Sequence, residues 1–193
     1  MEELYSPVRF TNILYATDFS PASQSALRYA VSIAGKYGSH IFVMHIIPRV
    51  ADSGTSASAP HEMGAEGHTE AIEAMVELEA QLQGVPHEFI IRKGDIWKQT
   101  AQIIEEKAIS LLVMGTHGRS GASKVIMGSV AEEIFRKASC PVLTVGPNVC
   151  GEPDAVADIR AILCPIDFKP DSLAAIAHAT LPNKTRPGCI CFM

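Results

Sequence analysis

The sequence predicts an α/β fold, a doubly wound and Rossmann-like sheet of five parallel strands with helices on both faces. Strand-like and helix-like segments alternate from the N-terminal region onward, five strands with four helices. This alternation is typical of parallel strands that are joined by right-handed crossovers. The second predicted strand, Ile41–Ile47, is an apolar run, as expected for a strand that is covered on both faces.

The first strand and the first helix carry clear boundary signals. A buried strand is predicted over Thr11–Ala16 and a helix over Ala22–Tyr37. Ser20 is a good N-cap residue, and Pro21 suits the first helical position. Gly35 and Gly38 mark the exit from this helix, because glycine commonly follows a helix C-terminus.

The remaining elements follow in turn. The predicted helices and strands are His68–Leu82, Phe89–Arg92, Ile96–Lys107, Leu111–Met114, Val130–Ala138 and Val142–Val145. The segment Arg49–Gly67 is rich in Ser, Ala and Gly and has no periodicity, which predicts a mobile loop. This loop is either a lid over a ligand site or an uninvolved surface loop.

The strongest functional signal lies between the fourth strand and the last helix. The strand runs into Gly115-Thr-His-Gly118, and Gly128-Ser129 opens the helix. Glycines let the backbone approach a ligand and tolerate positive φ angles, which turn successive N–H groups toward one point. A helix N-terminus attracts an anion through its unpaired N–H groups and its dipole. The segment therefore predicts a phosphate-binding loop.

The G-x2-G-x9-G-[ST] spacing resembles the nucleotide loop of the universal stress protein family, in its ATP-binding branch. The resemblance covers residues 9–147. Ile13–Ser20 looks like the family's first strand and acidic turn, Phe42–Ile46 like its second strand, and Pro141–Val145 like its closing strand. The resemblance implies an adenine nucleotide alpha hydrolase-like sheet of strand order 3-2-1-4-5, with the ligand between the loops after strands one and four.

The resemblance also implies a ligand and the residues that hold it. The implied ligand is ATP, with Mg²⁺ as an accompanying ion, bound by a module of stress response signalling. The implied nucleotide-binding residues are Ala16, Thr17, Asp18, Ile46, Met114, Gly115, His117, Gly118, Arg119, Gly128, Ser129 and Val130. No catalytic or metal-ligating residue is assigned.

Several of these residues have a structural alternative. Asp18 is expected to hold the ribose or the adenine, or else to be a turn aspartate that caps the following helix. Ser129 could bind a phosphate oxygen, and Ser129-Val-Ala-Glu132 also fits a capping box, so both roles can hold. Arg119 and Lys124 either neutralise phosphate charge or are solvated loop cations. His45 is expected to be a satisfied core histidine.

Other function classes are less favoured. The sequence has neither G-x4-G-K-[ST] nor G-x-G-x-x-G, the loops of Walker-type NTPases and of Rossmann dehydrogenases. A slow ATP hydrolase or phosphotransferase stays open as an alternative, although the sequence shows no nucleophile and orienting partner for His117 as a base. A nucleotide-free protein-interaction module is the third alternative.

Bulk properties limit the partners and the location. A net charge of −5 without a Lys/Arg block argues against nucleic acid as the main partner. No apolar run approaches the roughly 20 residues that span a bilayer, and the acidic first residues are unlike a signal peptide. The five cysteines match no zinc pattern. A cytoplasmic location without membrane contact is therefore expected.

An internal repeat divides the chain. Ile13–Pro21 recurs as Ile162–Pro170 at a constant offset of 149, and Ser23 and Ser172 continue the match. Such a shared offset indicates duplication. The sequence thus predicts a universal stress protein domain over residues 1–148, followed by a linker and a partial second repeat over 149–193 that holds a first strand and helix only. A truncated or shifted coding sequence is the alternative.

An exposed strand edge and the repeat both bear on assembly. Val142–Val145 is predicted to be an edge strand, whose unpaired backbone groups need cover. The resemblance implies a homodimer in which this strand meets the same strand of a second subunit. The apolar segment Ala161–Ile166 is expected to pack against the first domain or its dimer mate, with the helix Ser172–Thr180 over one face. Pro165 favours an edge position for this segment.

Overall fold

The structure is a computed structural model, and it describes residues 9–48, 63–116, 128–146, 162–164, 166, 167, 169, 172, 173, 175, 176, 190 and 191. The chain divides into two compact units, Phe10–Val156 and a second unit that combines Ala157–Met193 with Met1–Arg9. The predicted domain boundary after residue 148 lies outside the described residues and stays a prediction.

The first unit contains one five-stranded sheet with all strand pairs parallel. The strand order is β3-β2-β1-β4-β5, which confirms the predicted order. The strands are β1 (Asn12–Ala16), β2 (His40–Pro48), β3 (His87–Gly94), β4 (Leu111–Gly115) and β5 (Val142–Val145).

Four helices connect the strands, namely α1 (Pro21–Tyr37), α2 (Met63–Glu79), α3 (Ile96–Glu106) and α4 (Ser129–Lys137), and a 3-10 turn over Ala80–Leu82 follows α2. The side chain of Ser20 caps α1 by accepting a hydrogen bond from the Ser23 amide, and Gly38 ends it in the left-handed conformation at φ 67°. Ser20, Pro21 and Gly38 therefore have the roles that the sequence predicts. Gly35 does not mark the helix exit, because α1 continues through it to Tyr37.

Helix α2 begins earlier than predicted. Residues 63–67, which the sequence analysis assigns to a mobile loop, form its first turn. Gly64 and Gly67 interrupt the apolar pattern there, so the sequence gives no helical period. Buried Ala71, Met75 and Leu78 anchor the helix further along, and propagating a formed helix by another turn is favourable. The rest of the predicted loop lies outside the described residues.

Strand β3 is longer than predicted at both ends. Its register with β2 runs without a break from the Ile41–His87 pair to the Pro48–Gly94 pair. The polar residues that flank Phe89–Arg92 therefore join the sheet because β2 offers them backbone partners, a cause that an apolar pattern does not reveal.

The core lies on both faces of the sheet. Ile13, Leu14 and Tyr15 are consecutive in β1, point alternately to opposite faces, and are all fully buried. Both faces of the central strand are therefore covered, as the doubly wound prediction requires. No helix within the described ranges is long and apolar enough to cross a membrane.

The second unit contains a parallel pair of short strands, β6 (Ile162–Leu163) and β7 (Ile190–Cys191). Ile162 pairs with Ile190, whereas Ile13 pairs with Ile41 in the first unit. Ile162 and Ile190 each lie 149 residues after their counterparts Ile13 and Ile41, which is the offset that relates the two copies.

The second unit therefore has a strand, β7, in addition to the first strand and helix that the sequence predicts for the repeat, and the full extent of the repeat stays a prediction. In the sequence, Ile190 and Met193 match Ile41 and Met44 at this offset, whereas the two residues between them differ. So short a stretch is hard to distinguish from chance without the strand pairing.

The turn after β6 reproduces the turn after β1. Asp167 Oδ1 accepts a hydrogen bond from the Lys169 amide at 3.0 Å, as Asp18 Oδ1 does from the Ser20 amide at 3.0 Å. Ser172 Oγ donates to the Lys169 carbonyl at 3.0 Å, and in the first unit Ser23 Oγ donates to the Ser20 carbonyl at 2.9 Å. These equivalent bonds support duplication of the strand-turn-helix segment.

Candidate functional site

A cavity of about 450 Å³ opens where β1, β2 and β4 end and where α4 begins. Its lining residues are Ala16, Thr17, Asp18, Ser23, Met44, Ile46, Pro48, Ile96, Met114, Gly115, Thr116, Gly128, Ser129, Val130, Ala131 and Ile134. The position is the carboxyl edge of the sheet beside the reversal of strand order, where ligands of doubly wound folds bind. Its size is within the usual range of small-molecule sites.

The structure brings together nine of the predicted site residues around this cavity. They are Ala16, Thr17, Asp18, Ile46, Met114, Gly115, Gly128, Ser129 and Val130. The other three, His117, Gly118 and Arg119, lie outside the described residues together with Lys124, so their roles stay predictions. A contact of any of the twelve with a ligand also stays a prediction.

The cavity has further lining residues that the sequence analysis did not assign, namely Ser23, Met44, Pro48, Ile96, Thr116, Ala131 and Ile134. The sequence contains a signal for two of these residues. Met44 lies two residues before Ile46 and so shares its face of β2. Ala131 belongs to the same first helical turn as Ser129. By contrast, Ile96 begins α3, and only the tertiary structure brings it here.

The N-terminus of α4 is attached to the end of β4 by its N-cap residue. Gly128 donates its N–H to the Thr116 carbonyl at 2.8 Å, and Thr116 in turn donates its N–H to the Val145 carbonyl at 2.9 Å. The amides of Ser129, Val130 and Ala131 follow in the first turn, where an α-helix provides no acceptor. All three residues line the cavity. The helix start is therefore fixed in place as a set of donors beside the cavity.

The predicted capping box is wrong. Gly128 is the N-cap, in extended conformation and without a side-chain hydrogen bond, and Ser129 is the first residue of the helix. Glu132 interacts with Arg136 at 3.0 Å. The helix begins one residue earlier than the capping box requires, because the bond from Gly128 to Thr116 already fixes the N-cap.

Neither Gly128 nor Gly115 is explained by a positive φ angle. Gly128 has φ −60°, and a Cβ atom there would lie 3.5 Å from the Thr116 carbonyl oxygen, an ordinary contact. A Cβ atom on Gly115 would lie 2.9 Å from the carbonyl carbon of Ala22 and 3.0 Å from the Ser23 nitrogen. Gly115 is thus required for the close approach of α1 to β4, a structural role that the loop prediction did not include.

Asp18 serves the turn between β1 and α1 and also lines the cavity. Its Oδ1 accepts from the amide of Ser20, and Ser20 itself caps the helix. Asp18 is therefore a turn aspartate, as the structural alternative to nucleotide binding proposes. The residue that caps the helix, however, is Ser20 and not Asp18. The carboxylate is half-buried at the cavity wall.

The hydroxyl groups of Thr17 and Tyr15 stabilise this turn by hydrogen bonds. Thr17 is buried, and its Oγ1 accepts from the Phe19 amide at 2.9 Å and shares a hydrogen bond with Ser23 Oγ at 3.1 Å. Tyr15 donates its hydroxyl to the Ser23 carbonyl at 2.8 Å. Burial raises the pKa of Tyr15 to about 12, so this hydroxyl stays protonated and keeps donating. The turn is thereby joined to the first turn of α1.

The rest of the wall is apolar. Met44, Ile46, Ile96, Met114 and Ile134 contribute aliphatic and thioether surface. Among the described lining residues, Asp18 is the one with a formal charge. The cavity therefore combines an apolar part, one carboxylate and a set of backbone donors.

Comparison with known proteins assigns the chain to a family. A model of the universal stress protein family matches residues 9–146. The chain belongs to the universal stress protein family. A universal stress protein of Methanocaldococcus jannaschii is 29% identical over 139 residues, which cover 70% of this chain and 82% of the relative. One from Mycolicibacterium smegmatis is 29% identical over 174 residues, which cover 86% of this chain and 58% of the relative.

Solved universal stress proteins share the fold. UspA from Lactobacillus plantarum has a TM-score of 0.60 at 24% identity, covering 71% of this chain and 98% of its own. A universal stress protein solved in complex with cAMP has a TM-score of 0.52 at 20% identity, covering 70% and 97%. A family member from Arabidopsis thaliana, solved with AMP bound, has a TM-score of 0.51 at 16% identity, covering 74% and 97%.

Proposed function

We propose that this universal stress protein binds an adenine nucleotide, ATP, in the cavity at the carboxyl edge of the sheet, and that it acts as a nucleotide-responsive module in stress response signalling. The observation that carries the proposal is that Ser129, Val130 and Ala131, which form the first turn of α4, line the same cavity as Asp18. Backbone donors at a helix N-terminus are suited to phosphate oxygens.

Each part of the cavity matches one part of the nucleotide. The apolar wall formed by Met44, Ile46 and Met114 suits the flat face of the base, and the Asp18 carboxylate suits a ribose hydroxyl or the exocyclic amine of adenine, both of which donate hydrogen bonds. The phosphates would then extend toward α4. The complexes of the two structural neighbours with cAMP and with AMP support an adenine ligand for this fold.

We place Mg²⁺ on the phosphates rather than on a protein cage. No group of three or more His, Cys, Asp or Glu side chains that could hold a metal occurs among the described residues. In nucleotide sites, Mg²⁺ typically keeps several waters and binds the substrate phosphates with one or two carboxylates. Asp18 is the one carboxylate among the described lining residues.

The same proposal includes a homodimer that forms through β5. Within the described sheet, β5 pairs with β4 on one side and has no strand on the other. Val142, Leu143 and Thr144 are half-buried. An edge strand of this kind can pair with its copy in a second subunit and thereby satisfy its open backbone groups.

Replacing Ser129 by proline tests the amide donors directly. Ser129→Pro removes one backbone N–H, and proline is well tolerated at the first position of a helix. Gly128 already has φ −60° and ψ 147°, a conformation that a residue before proline accepts. Because a hydrogen bond to a charged group is lost, we expect affinity for ATP to fall about tenfold to a hundredfold in calorimetric titrations.

Two controls separate the amide from other causes. Ser129→Ala removes the hydroxyl and keeps the N–H, so any loss specific to the proline variant belongs to the backbone donor. Adenosine has no phosphate, and its affinity should be the same in wild type and Ser129→Pro. Equal affinity of both proteins for ATP would contradict the proposed role of the α4 amides.

A further inference from the structure

The geometry points to His45 as a positioning residue that holds the Asp18 turn in the shape that lines the cavity. His45 is half-buried near the end of β2, and its Nδ1 lies 2.8 Å from the Thr17 carbonyl oxygen. This bond adds to the one from the Thr17 amide to the Met44 carbonyl, at 2.9 Å. The inference rests on the proposed function, since it concerns how the same cavity is formed.

The hydrogen bond fixes a proton on one nitrogen of the imidazole ring. A carbonyl oxygen only accepts, so the Nδ1 atom of His45 must carry the proton and donate it to Thr17. The ring therefore acts as a donor directed at the backbone of the turn. A satisfied histidine was expected at this position, but its partner is the site-forming turn and not the core.

Phe19 makes this support necessary. It has φ 62°, in the left-handed region that residues other than glycine rarely adopt. Such strain persists when the surroundings over-determine the conformation. The Phe19 ring lies against the His45 ring, with centroids 4.5 Å apart and planes inclined by 37°. One side chain thus contacts the turn twice, by a hydrogen bond at Thr17 and by a ring contact at Phe19.

His45 acts through the turn and not on the ligand. Met44 and Ile46 line the cavity, and alternation along β2 directs His45 to the opposite face of the sheet. The consequence reaches Asp18, which lies between the two residues that His45 contacts. If the turn opens, the bond between Asp18 Oδ1 and the Ser20 amide is lost, and the carboxylate leaves its place in the wall.

The test compares three variants by NMR-detected amide hydrogen exchange on the full chain. His45→Phe keeps a ring against Phe19 and removes the donor, whereas His45→Asn returns an N–H close to the position of Nδ1. His40→Phe is the matched control, because His40 lies on the same strand and its ring contacts Phe42. The reporting amides are those of Phe19 and Ser20, measured relative to the Leu112 amide, which donates to Pro141 at 2.9 Å within the sheet.

We expect His45→Phe to speed exchange at Phe19 and Ser20 about fivefold relative to Leu112, the effect of one neutral hydrogen bond. His45→Asn returns the donor but not the ring contact with Phe19, so it should restore slow exchange in part, and His40→Phe should leave both amides unchanged. The affinity for ATP, measured by calorimetry, should fall in His45→Phe by no more than the same factor and recover in part in His45→Asn.

Unchanged exchange in His45→Phe, or equal effects of the phenylalanine and asparagine variants, would overturn the inference. Equal acceleration at Leu112 would show a general loss of stability and would overturn it as well. If the wild-type protein does not bind ATP, the proposed function fails, while the exchange rates still decide whether His45 holds the turn.

Discussion

At the scale of single residues, the hydrogen-bond partners of His87 determine the charge of its ring. Its Nδ1 lies 2.8 Å from the Val85 carbonyl oxygen, and its Nε2 lies 3.1 Å from Glu79 Oε2. Both partners accept hydrogen bonds, so the ring satisfies both only as an imidazolium. The bond to Val85 is the largest cause of a raised His87 pKa; partial burial opposes it, and Glu79 adds to it.

This arrangement predicts a pH dependence of stability. The His87 pKa is raised above 6.5 in the folded protein, so the stabilisation is fully present below pH 6.5 and is lost as the pH rises through the folded-state pKa. Glu79→Gln should therefore lower the free energy of unfolding more at pH 5.5 than at pH 9. Chemical denaturation at both pH values measures the difference.

The matched control for this prediction is Glu77→Gln, on the same helix. It should leave the NMR titration of His87 unchanged, whereas Glu79→Gln should lower the His87 pKa without returning it fully, because the Val85 bond remains. A His87 pKa at or below 6.5 in the wild-type protein would show that these contacts do not form in solution.

Gly115 connects two elements, because it lets the first turn of α1 lie against the end of β4. Gly115→Ala would place a Cβ atom 2.9 Å from the backbone of Ala22. Since backbone cannot rotate away as a side chain can, we expect a loss of about 1–3 kcal/mol of stability, typical of overpacking. Thermal or chemical unfolding of the variant measures it.

Gly128→Ala is the comparison for this prediction. Its added Cβ atom would make an ordinary 3.5 Å contact with the Thr116 carbonyl oxygen, so the loss should be clearly smaller than for Gly115→Ala. If the two variants were equally stable, the close approach of α1 to β4 would not be the reason for glycine at position 115.

The elements also show what a sequence can and cannot predict. Apolar runs such as Ile13–Tyr15 and helix signals such as Ser20 depend on local chemistry, and they predict the five strands and four helices of the first unit, although not all of their ends. The ends of β3 depend on pairing with β2, and the helix start at Ser129 depends on a bond from Gly128 to Thr116. Contacts between distant segments of this kind, including Ile96 at the cavity, leave no periodic pattern.

At the scale of the whole molecule, the second unit presents apolar side chains to solvent. Leu163 is 58% exposed, although its counterpart Leu14 is fully buried in the first unit. Leu173 is 45% exposed and takes the place of Gln24 in the repeat. Two exposed leucines on so small a unit are unfavourable in water, so we expect them to be covered in the assembled protein.

Deletion of residues 152–193 should therefore change the oligomeric state or the solubility. It should leave ATP binding intact, because every described residue of the cavity wall lies at or before residue 134. Light scattering and an ATP titration on the shortened chain measure the two effects. Unchanged mass and solubility would show that the second unit has no part in assembly, and lost ATP binding would show that the first unit needs it.

The proposed nucleotide site is tested most directly by native mass spectrometry of the intact protein incubated with equal concentrations of ATP and GTP. Because backbone amides for the phosphates, a carboxylate and an apolar wall border one cavity, we predict a mass increase of one ATP per chain. The ATP complex should be strongly reduced in Ser129→Pro and retained in Ser129→Ala. An unshifted mass at millimolar nucleotide, or equal occupancy by GTP, would contradict the assignment of this cavity to an adenine nucleotide.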